Sequence, residues 1–581
     1  MYIRTKARPE DEQTLTLIRR VSDLRTIASK LKRARMTPLQ VCEAIIERRF
    51  AERTVRAFFA ELPDDERHYW IASLYALLMP KARRKRLAAY FTPPHLAHHA
   101  IRVMMGAGIR PGHHRILDPA CGGAAFLVPL AAQVAEAGHE RGARAKTIIQ
   151  DIQKSLHGVE IDGDLAGLSH ALLNDLLDDE IENSGLLLDR LVQRADTLRL
   201  EKPGELYDAV IGNPPYGRIL RPSAALLKRY RPVIADGYVN LYTLFVEQAL
   251  QWVRPGGVVC LIIPMSFVGG PYFAALRERI LQSASVLRLD LIDKRSDVFL
   301  DVLYDLCVVL LRKNGGPGRR STPKSALLRI DEPDLDLGLV DLPAAPNRRV
   351  WVLPDVTDNH ALFRPGFETL TDYGYLTKTG YFVWNREKHR YRTGKKPRVG
   401  EVPLFSAHNV RANQRSEPRD DETSALGFVR ISKSSAAVVH SDSVIVQRTS
   451  NRRQKRRLIA GIVRQKDAIG ARGFVTENHT IIVIPDPTKR QKLSLRTVCR
   501  LLNTAAVDAR FRRISGSVSV STKALRELPL PAAADVRKSF AKRKLNDDEA
   551  ATDAYEASAA RKRAAPTPKK ARKSSLQRTR S

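Results

Sequence analysis

The sequence predicts an α/β fold in which helices cover a mostly parallel sheet, and three observations lead to this prediction. Strand-like and helix-like segments alternate from about residue 86 to residue 314. Polar residues and glycines follow several of the strand-like runs directly, as they do in open sheets that bind ligands at the carboxyl ends of their strands. At 581 residues with 43% hydrophobic content, the chain is also long enough for two or three domains with separate cores.

The sequence divides into five predicted segments. A helical amino-terminal segment, in which we find no chemistry, precedes the alternating region, and a Gly- and Pro-containing linker follows it. A second domain then mixes strand-like runs with basic runs, and an Ala-, Lys- and Arg-rich tail has the composition of a largely disordered segment. The predicted bounds are 1–85, 86–314, 315–325, 326–535 and 536–581.

Six strand-like runs make up the alternating region. They are "HRILDPA", "LHGVEID", "YDAVIGN", "GGVVCLIIP", "VLRLDLID" and "YDLCVVLLRK". The last two are closely spaced, which predicts a β-hairpin at one edge of the sheet.

The first strand ends at Asp118 and runs into "DPACGGAAFLVPLAAQ". Gly122 and Gly123 would let a ligand approach the backbone, and a helix is predicted to begin near Ala124 with free N–H groups facing that ligand. A phosphate site is not indicated, because neither GxGxxG nor GxxxxGK is present.

Acidic residues follow the next two predicted strands. Glu160, in "GVEID", could accept hydrogen bonds from both ribose hydroxyls of a nucleoside cofactor, or be a solvated loop acid. Asp196, in "RADTL", could accept a bond from an adenine amine, or cap a helix.

The strand "YDAVIG" runs into Asn213, Pro214, Pro215 and Tyr216. Each proline ring fixes φ, removes an N–H and forces the preceding residue into an extended conformation. The motif therefore predicts a stiff corner at a strand end, where an amide and an aromatic ring are held in fixed directions.

The net charge of +34 predicts a polyanionic partner, most often nucleic acid. The last 21 residues hold nine Lys or Arg and no acid. No apolar span long enough to cross a bilayer and no secretory signal is found in the sequence. The five cysteines are scattered without a CxxC pair, which predicts a reducing cytoplasm and no metal site.

These stretches occur in a recognisable order, namely "YFTPPHLAHHAI", "DPACGGAAFL", "GVEID", "ADTL" and "NPPYG", followed by a separate basic region. The order resembles the gamma-type N6-adenine DNA methyltransferases of restriction-modification systems, of the Eco57I and TaqI kind, whose target recognition domain comes last. The resemblance covers about residues 86 to 531. Two departures are Ala124, where the family usually has a glycine, and the long interval from Asp118 to Glu160, which implies an extra helix.

The resemblance implies a Rossmann-like class I methyltransferase domain with an edge hairpin, a mixed α/β DNA-recognition domain, and S-adenosyl-L-methionine as cofactor. It implies that Asn213, Pro214, Pro215 and Tyr216 are catalytic, and that Tyr216 and Phe299 stack on an extruded adenine, with Phe267 as the substitute for Phe299. The implied cofactor-binding residues are Thr92, Asp118, Pro119, Ala120, Cys121, Gly122, Glu160, Asp196 and Asn213.

Two basic runs in the second domain predict contacts with double-stranded DNA. "YFVWNREKHRYRTGKKPR" (381–398) interleaves four aromatic residues with seven Lys or Arg, and "RTSNRRQKRR" (448–457) holds six more. Such runs can also be solvated faces. The candidate contacts are Arg386, Lys388, Arg390, Arg392, Lys395, Lys396, Arg448, Arg452 and Arg453.

The expected function is site-specific transfer of a methyl group to N6 of adenine in DNA by base flipping, in a bacterial cytoplasm and near its nucleoid. A cognate restriction endonuclease on a separate chain would be a further partner. Three alternatives stay open: a methyltransferase of protein glutamine, one of RNA adenine, and a non-catalytic DNA-binding protein with a decayed core.

Overall fold

The computed structural model describes the following residues, and all structural statements below refer to them. They are 9–32, 35–50, 52–60, 62, 64–87, 92–188, 190–234, 238–292, 305–314, 323–329, 333–340, 342, 350–351, 353–354, 366–418, 420, 425–432, 434–448, 456–465, 473–514 and 520–560. The chain forms two compact units, one of Met1–Asn359 with Arg512–Val518 and the other of His360–Phe511 with Ser519–Ser581. We refer to them as unit 1 and unit 2.

The helices of the described residues are α1 (Pro9–Leu31), α2 (Pro38–Ile46), α3 (Arg53–Ala60), α4 (Asp64–Leu78), α5 (Lys81–Leu87), α6 (Pro94–Gly106), α7 (Leu127–Glu140), α8 (Ala145–Ser155), α9 (Gly163–Leu176), α10 (Asp178–Ser184), α11 (Ala224–Arg229), α12 (Leu241–Trp252), α13 (Ser266–Gly269), α14 (Ala274–Ser283), α15 (Trp384–Glu387), α16 (Leu495–Leu502), α17 (Ala505–Ile514), α18 (Thr522–Glu527), α19 (Ala533–Phe540) and α20 (Asp547–Ala560). None of them combines the length and the apolar character that crossing a membrane requires.

The strands of unit 1 are β1 (Ile116–Asp118), β2 (Leu156–Glu160), β3 (Val192–Arg194), β4 (Tyr207–Gly212), β5 (Arg218–Ile219), β6 (Val239–Asn240), β7 (Val253–Pro264), β8 (Ala284–Ile292), β9 (Leu306–Lys313), β10 (Lys324–Leu328) and β11 (Leu335–Leu339). Nine of these form one sheet in the order β11-β10-β8-β9-β7-β4-β1-β2-β3, while β5 and β6 form a separate ribbon. This confirms the predicted α/β sheet.

The centre of the sheet is parallel and buried on both faces. β1 pairs in parallel with β2 and β4, and β4 pairs in parallel with β7. The apolar run of β7 from Val258 to Ile263 is fully buried, as expected for a strand with helices on both sides. Because these strands run in the same direction, Asp118, Glu160 and Asn213 all lie at the carboxyl ends of the parallel strands.

The paired strands β8 and β9 are antiparallel as predicted, but they do not lie at the edge of the sheet. β10 pairs in parallel with β8, and β11 pairs with β10 in the antiparallel direction. The sheet therefore continues past the predicted linker at 315–325, and the division between the units follows Asn359. These added strands are short and half polar, so their sequence does not distinguish them from loop.

The predicted extra helix between the first two strands is present, since both α7 and α8 lie there. The helix after the glycine turn begins at Leu127 and not near Ala124 as predicted. Gly122 and Ala124 adopt left-handed backbone conformations with φ of 53° and 57°, which a right-handed helix cannot contain, so the regular helix starts later.

The amino-terminal helices are part of unit 1. Trp70 and Tyr75 of α4 are buried in the same hydrophobic core as the sheet and its helices. His68 lies 3.1 Å from the Asp175 carboxylate on α9, which ties α4 to the helix that follows β2.

Unit 2 is mixed α/β, as predicted. Its strands are β12 (Tyr375–Thr379), β13 (Tyr391–Gly394), β14 (Glu401–Phe405), β15 (Leu426–Arg430), β16 (Ser443–Gln447), β17 (Ala460–Val463), β18 (Val475–Thr476) and β19 (Thr480–Pro485). They form two four-stranded sheets, β12-β19-β16-β17 and β13-β15-β14-β18.

The prediction of a disordered tail from residue 536 is wrong for residues 536–560, which include most of α19 and all of α20. Tyr555 is buried, and its hydroxyl donates a hydrogen bond of 2.9 Å to the Pro529 carbonyl. A packed helix rich in alanine and a disordered Ala-rich tail have similar compositions, so composition alone does not distinguish them. The basic residues 561–581 lie outside the described residues.

Candidate active site

Asn213 lies directly after β4, and both the nitrogen and the oxygen of its side-chain amide form hydrogen bonds. Its Nδ2 donates a 3.0 Å hydrogen bond to Oγ1 of the buried Thr92, which precedes α6. Its Oδ1 accepts a hydrogen bond from the Tyr216 hydroxyl, which also lies 3.2 Å from the Ile262 carbonyl of β7. The structure thus brings Thr92 together with Asn213, 121 positions further along the chain, and with Tyr216.

Tyr216 is more enclosed than a stacking platform for a base would be. Only 6% of its surface is exposed, and burial raises the pKa of its hydroxyl well above the usual value. Pro214 is buried and Pro215 is half-buried. The motif is therefore a rigid corner in which the tyrosine ring, in this conformation, supports Asn213 from inside the protein.

Asp118 ends β1 and stabilises the turn that follows. Its Oδ1 accepts a 3.1 Å hydrogen bond from the Ala120 N–H, and Pro119 and Cys121 complete the turn. The Cys121 N–H donates to the Val159 carbonyl of β2 at 3.1 Å, which holds the turn against the neighbouring strand. Burial raises the pKa of Asp118 to about 8, and the nearby charge of Glu160 adds to the effect.

Glu160 ends β2 and faces the same turn. Its Oε2 accepts a 3.0 Å hydrogen bond from the Gly122 N–H, and its Oε1 accepts one of 2.8 Å from the Asp162 N–H. Burial raises its pKa, although these backbone donors oppose the shift. A carboxylate offers about four acceptor positions, so acceptor capacity remains for a ligand.

Asp196 follows β3 and has a local structural role. Its Oδ1 accepts a 3.1 Å hydrogen bond from the Leu198 N–H, and its Oδ2 pairs with Arg199 at 3.1 Å. Residues 197–199 form a turn and not a helix, so Asp196 stabilises a turn where a helix cap was the alternative, and a cofactor contact stays a prediction.

Sequence reasoning missed Ile161. More than half of its surface is exposed, at 56%, although it directly follows Glu160 at the carboxyl edge of the sheet. An exposed branched aliphatic residue beside a buried carboxylate offers an apolar surface for a planar ring. The signal that could have found it is the apolar residue between two acids in "GVEID".

Two residues were candidates for the second ring that stacks on the base, Phe299 and its substitute Phe267. Phe299 lies outside the described residues. Phe267 is fully buried and packs edge-to-face on Trp351 with ring centroids 5.3 Å apart, so it is a core residue. The prediction that Phe267 substitutes for Phe299 is therefore not supported by its position.

Comparison with known proteins identifies the domain that holds this site. Residues 151–299, which include Glu160 and the Asn213 corner, match the Eco57I restriction-modification methylase family. The chain carries an Eco57I restriction-modification methylase domain. Together with its type II methyltransferase relatives, this match shows that the chain is a DNA methyltransferase, and the predicted resemblance is confirmed.

Relatives of this methylase are type II methyltransferases. The chain is 25% identical over 423 residues to the type II methyltransferase M.BsuBI of Bacillus subtilis, covering 67% of this chain and 79% of that protein. It is 30% identical over 211 residues to M.TthHB8I of Thermus thermophilus, covering 35% and 40% respectively.

A solved structure shares the fold of most of the methylase chain. It is the ATP-dependent type ISP restriction-modification enzyme LlaBIII bound to DNA, with a TM-score of 0.50 and 11% sequence identity. The match covers 93% of this chain and 47% of that one. At this identity the likeness concerns the fold alone.

The predicted DNA contacts of the methylase divide into paired and exposed side chains. Arg390 pairs with Glu387 at 2.7 Å, and Arg392 pairs with Glu401 at 2.5 Å, which lowers the pKa of Glu401 to about 2. The exposed candidates are Arg386, Lys388, Lys395 and Lys396. Arg448 donates to the Asn478 carbonyl at 3.0 Å, while Arg452 and Arg453 lie outside the described residues.

A pocket of about 320 Å³ lies in unit 2 next to the first basic run. Trp384 and Tyr391 form one part of its wall, and His408, Asn409 and His479 form another. Its base is fixed by the buried Glu477, which accepts hydrogen bonds from the Trp384 indole and the Ala407 N–H, both at 2.6 Å. Unit 2 thus presents aromatic and polar groups together with exposed lysines.

Proposed function

We propose that this DNA methyltransferase transfers the methyl group to N6 of adenine at a specific site in double-stranded DNA, after the base has left the duplex. The observation that carries the proposal is the Asn213 corner, which has an amide oxygen and a proline carbonyl at the carboxyl end of β4. The Gly122 turn follows the adjacent strand β1, and Glu160 ends β2, two strands away, so all three lie at the carboxyl ends of the parallel strands.

The residues at this edge fit S-adenosyl-L-methionine. Glu160 retains acceptor capacity for the ribose of the cofactor, and Ile161 offers an apolar surface for the adenine ring. Thr92, Asp118 and the turn from Pro119 to Gly122 would hold the remainder of the molecule. When bound, the cofactor supplies an electrophilic methyl group on a sulfonium.

The chain's own task is to make the adenine amine nucleophilic. The lone pair of this amine is delocalised into the ring, so two acceptors aimed at its N–H bonds favour the tetrahedral nitrogen that attack requires. The Asn213 Oδ1 and the Pro214 carbonyl can be these acceptors. When bound, the cofactor would supply the methyl group, and the C–S electron pair would leave on its sulfur as a neutral thioether. Asn213 Oδ1 and the Pro214 carbonyl would hold the amine N–H bonds in direction, and the methylated amine would release its extra proton to solvent.

Base specificity belongs to unit 2 in this proposal. Its exposed lysines supply phosphate contacts, which give affinity without sequence information. The aromatic and polar pocket beside them supplies groups suited to base edges. A partner nuclease on a separate chain is consistent with the relatives' restriction-modification class.

The test is to express the protein in a methylation-free host and to sequence the host DNA with detection of N6-methyladenine. We expect one consistent motif, and none in cells that express Asn213→Ala. Methylation of RNA or of protein glutamine, with unmodified DNA, would overturn the proposal.

A further inference from the structure

An aromatic pair lies on the surface of unit 1 and is not used by the site described above. The rings of Tyr238 and Tyr272 are stacked, with centroids 4.5 Å apart and an interplanar angle of 20°. The Arg218 guanidinium lies 5.0 Å from the centroid of the Tyr238 ring. Two rings and one cation therefore form a continuous patch, which we call the tyrosine platform.

The tyrosine platform is built on the chain that leaves the catalytic corner. Arg218 follows Tyr216 by two positions and pairs with Asn240 in the β5–β6 ribbon. The Leu241 N–H donates a 2.8 Å hydrogen bond to the Gly217 carbonyl, which closes this ribbon against the corner. The platform is consequently held at a fixed place relative to Asn213.

The tyrosine platform has one side that packs on the core and another side that is exposed. Phe273 is buried and contacts Tyr238 edge-to-face at 5.8 Å, so it already anchors the platform to the core. Tyr272 is 49% exposed, and Leu220, at the end of the ribbon strand that carries Arg218, is 80% exposed. Arg218 and Arg221 are exposed as well.

We propose that Arg218, Tyr238 and Tyr272 bind the DNA strand from which the target base is extruded. An aromatic face can take the place of the stacking that a nucleotide loses when the duplex opens. The guanidinium can bind a neighbouring phosphate. This inference rests on the proposed function, because it assigns the platform to the extruded state of the same reaction.

We expect the tyrosine platform to contribute most to the methylation rate when extrusion of the base from the duplex is energetically unfavourable. On a duplex with the methylated motif, Tyr272→Ala should lower kcat/KM roughly tenfold or more, the scale of removing one stacking interaction. With a mismatched base opposite the target adenine, the base is already partly released, so the loss should shrink to about twofold. Tyr272→Phe keeps the ring and should retain wild-type rates on both duplexes.

Arg218→Ala provides a second variant with the same expected pattern, and Arg144→Ala is the matched control. Arg144 is an exposed arginine in the link between α7 and α8, and its removal should change neither rate. The affinity for S-adenosyl-L-methionine and the melting temperature should be unchanged in all four variants.

The outcomes separate this inference from the proposed function. If the wild-type protein methylates no adenine on either duplex, the proposed function fails. If the wild type is active but Tyr272→Ala and Arg218→Ala lose activity equally on both duplexes, or lose none, the tyrosine platform has no role in extrusion and the inference is overturned.

Discussion

The bond between Tyr216 and Asn213 determines what the catalytic corner can do at the scale of single residues. The Tyr216 hydroxyl donates to Asn213 Oδ1, the atom that must accept the adenine N–H in the proposed reaction. An amide oxygen has two lone pairs, so it can accept both donors. The tyrosine therefore orients the amide through its hydroxyl while its ring packs inside the protein.

This arrangement predicts different losses for the two residues. Asn213→Ala should lower the methylation rate by roughly 10²–10³, the scale for losing one preorganised hydrogen-bonding group at the reacting centre. Tyr216→Phe keeps the ring and removes the hydroxyl contacts with Asn213 and the Ile262 carbonyl but leaves the Asn213 amide in place, so its loss should stay below about tenfold. Single-turnover methylation rates measure both. Equal losses would mean that the hydroxyl, and not only the amide, acts on the base.

Glu160 should act on the cofactor alone. Glu160→Ala should weaken S-adenosyl-L-methionine binding by about 1–3 kcal/mol, the scale of removing hydrogen bonds to a charged group. The control is Glu201→Ala, which removes an exposed acid from the same unit. Calorimetric titration compares the two, and an unchanged dissociation constant for Glu160→Ala would remove this residue from the site.

The raised pKa of Asp118 predicts that the stability of the fold depends on pH. Its folded pKa of about 8 lies above the unfolded value near 4. The folded state therefore retains a proton that the unfolded state loses, and the stability that this proton supplies is lost as pH rises from about 4 through 8.

Asp118→Asn is neutral at every pH, and its amide oxygen can still accept from Ala120. The melting temperature of the variant, relative to the wild type and without cofactor, should rise between pH 5 and pH 8.5. The exposed Asp178→Asn is the control, and its difference from the wild type should stay constant. A constant difference for Asp118→Asn would show that its carboxyl titrates normally.

At the scale of elements, a buried polar cluster joins the added strand β10 to the rest of the sheet. Asp290 of β8 is fully buried and accepts hydrogen bonds from His99 Nε2 of α6 and from the Ala326 N–H of β10, both at 2.8 Å. Arg288 Nε donates to the same carboxylate at 2.5 Å. One side chain thus connects a helix and two neighbouring strands.

Asp290→Ala should lower the free energy of unfolding by about 3–5 kcal/mol, because it leaves buried partners without their acceptor. The matched control is Asp334→Ala. Asp334 also lies near His99, at 3.2 Å, but it is 38% exposed, so its loss should cost at most about 1 kcal/mol. Urea unfolding separates the two, and similar costs would show that burial of Asp290 adds nothing.

Sequence patterns predicted those elements whose side chains repeat with a clear period or motif. The alternation of buried strands with helices, the strand-end acids and the Asn213 corner are local in sequence, and the structure contains them. β10 was missed because its place depends on Asp290 and His99, which are distant in sequence. The enclosure of Tyr216 and the exposure of Ile161 likewise result from packing between elements, which no single stretch encodes.

At the scale of the whole molecule, a net charge of +34 makes DNA affinity dependent on salt, but not every basic residue contributes equally. The run from Arg386 to Lys396 forms one basic patch in the sequence. In the structure Arg390 and Arg392 pair with acids of unit 2, whereas Lys395 and Lys396 are exposed. The paired arginines stabilise the unit, and the exposed lysines remain available to phosphates.

The double variant Lys395→Ala with Lys396→Ala should therefore weaken binding to cognate and non-cognate DNA by the same factor. It should also reduce the slope of log affinity against log salt by about one for each phosphate that is no longer bound. Its methylated motif should not change, because phosphate contacts carry no sequence information. Arg392→Ala should instead lower the melting temperature, since it leaves Glu401 without this partner. Binding titrations at several salt concentrations measure the slope, and an altered motif in the lysine variant would show that these lysines read bases.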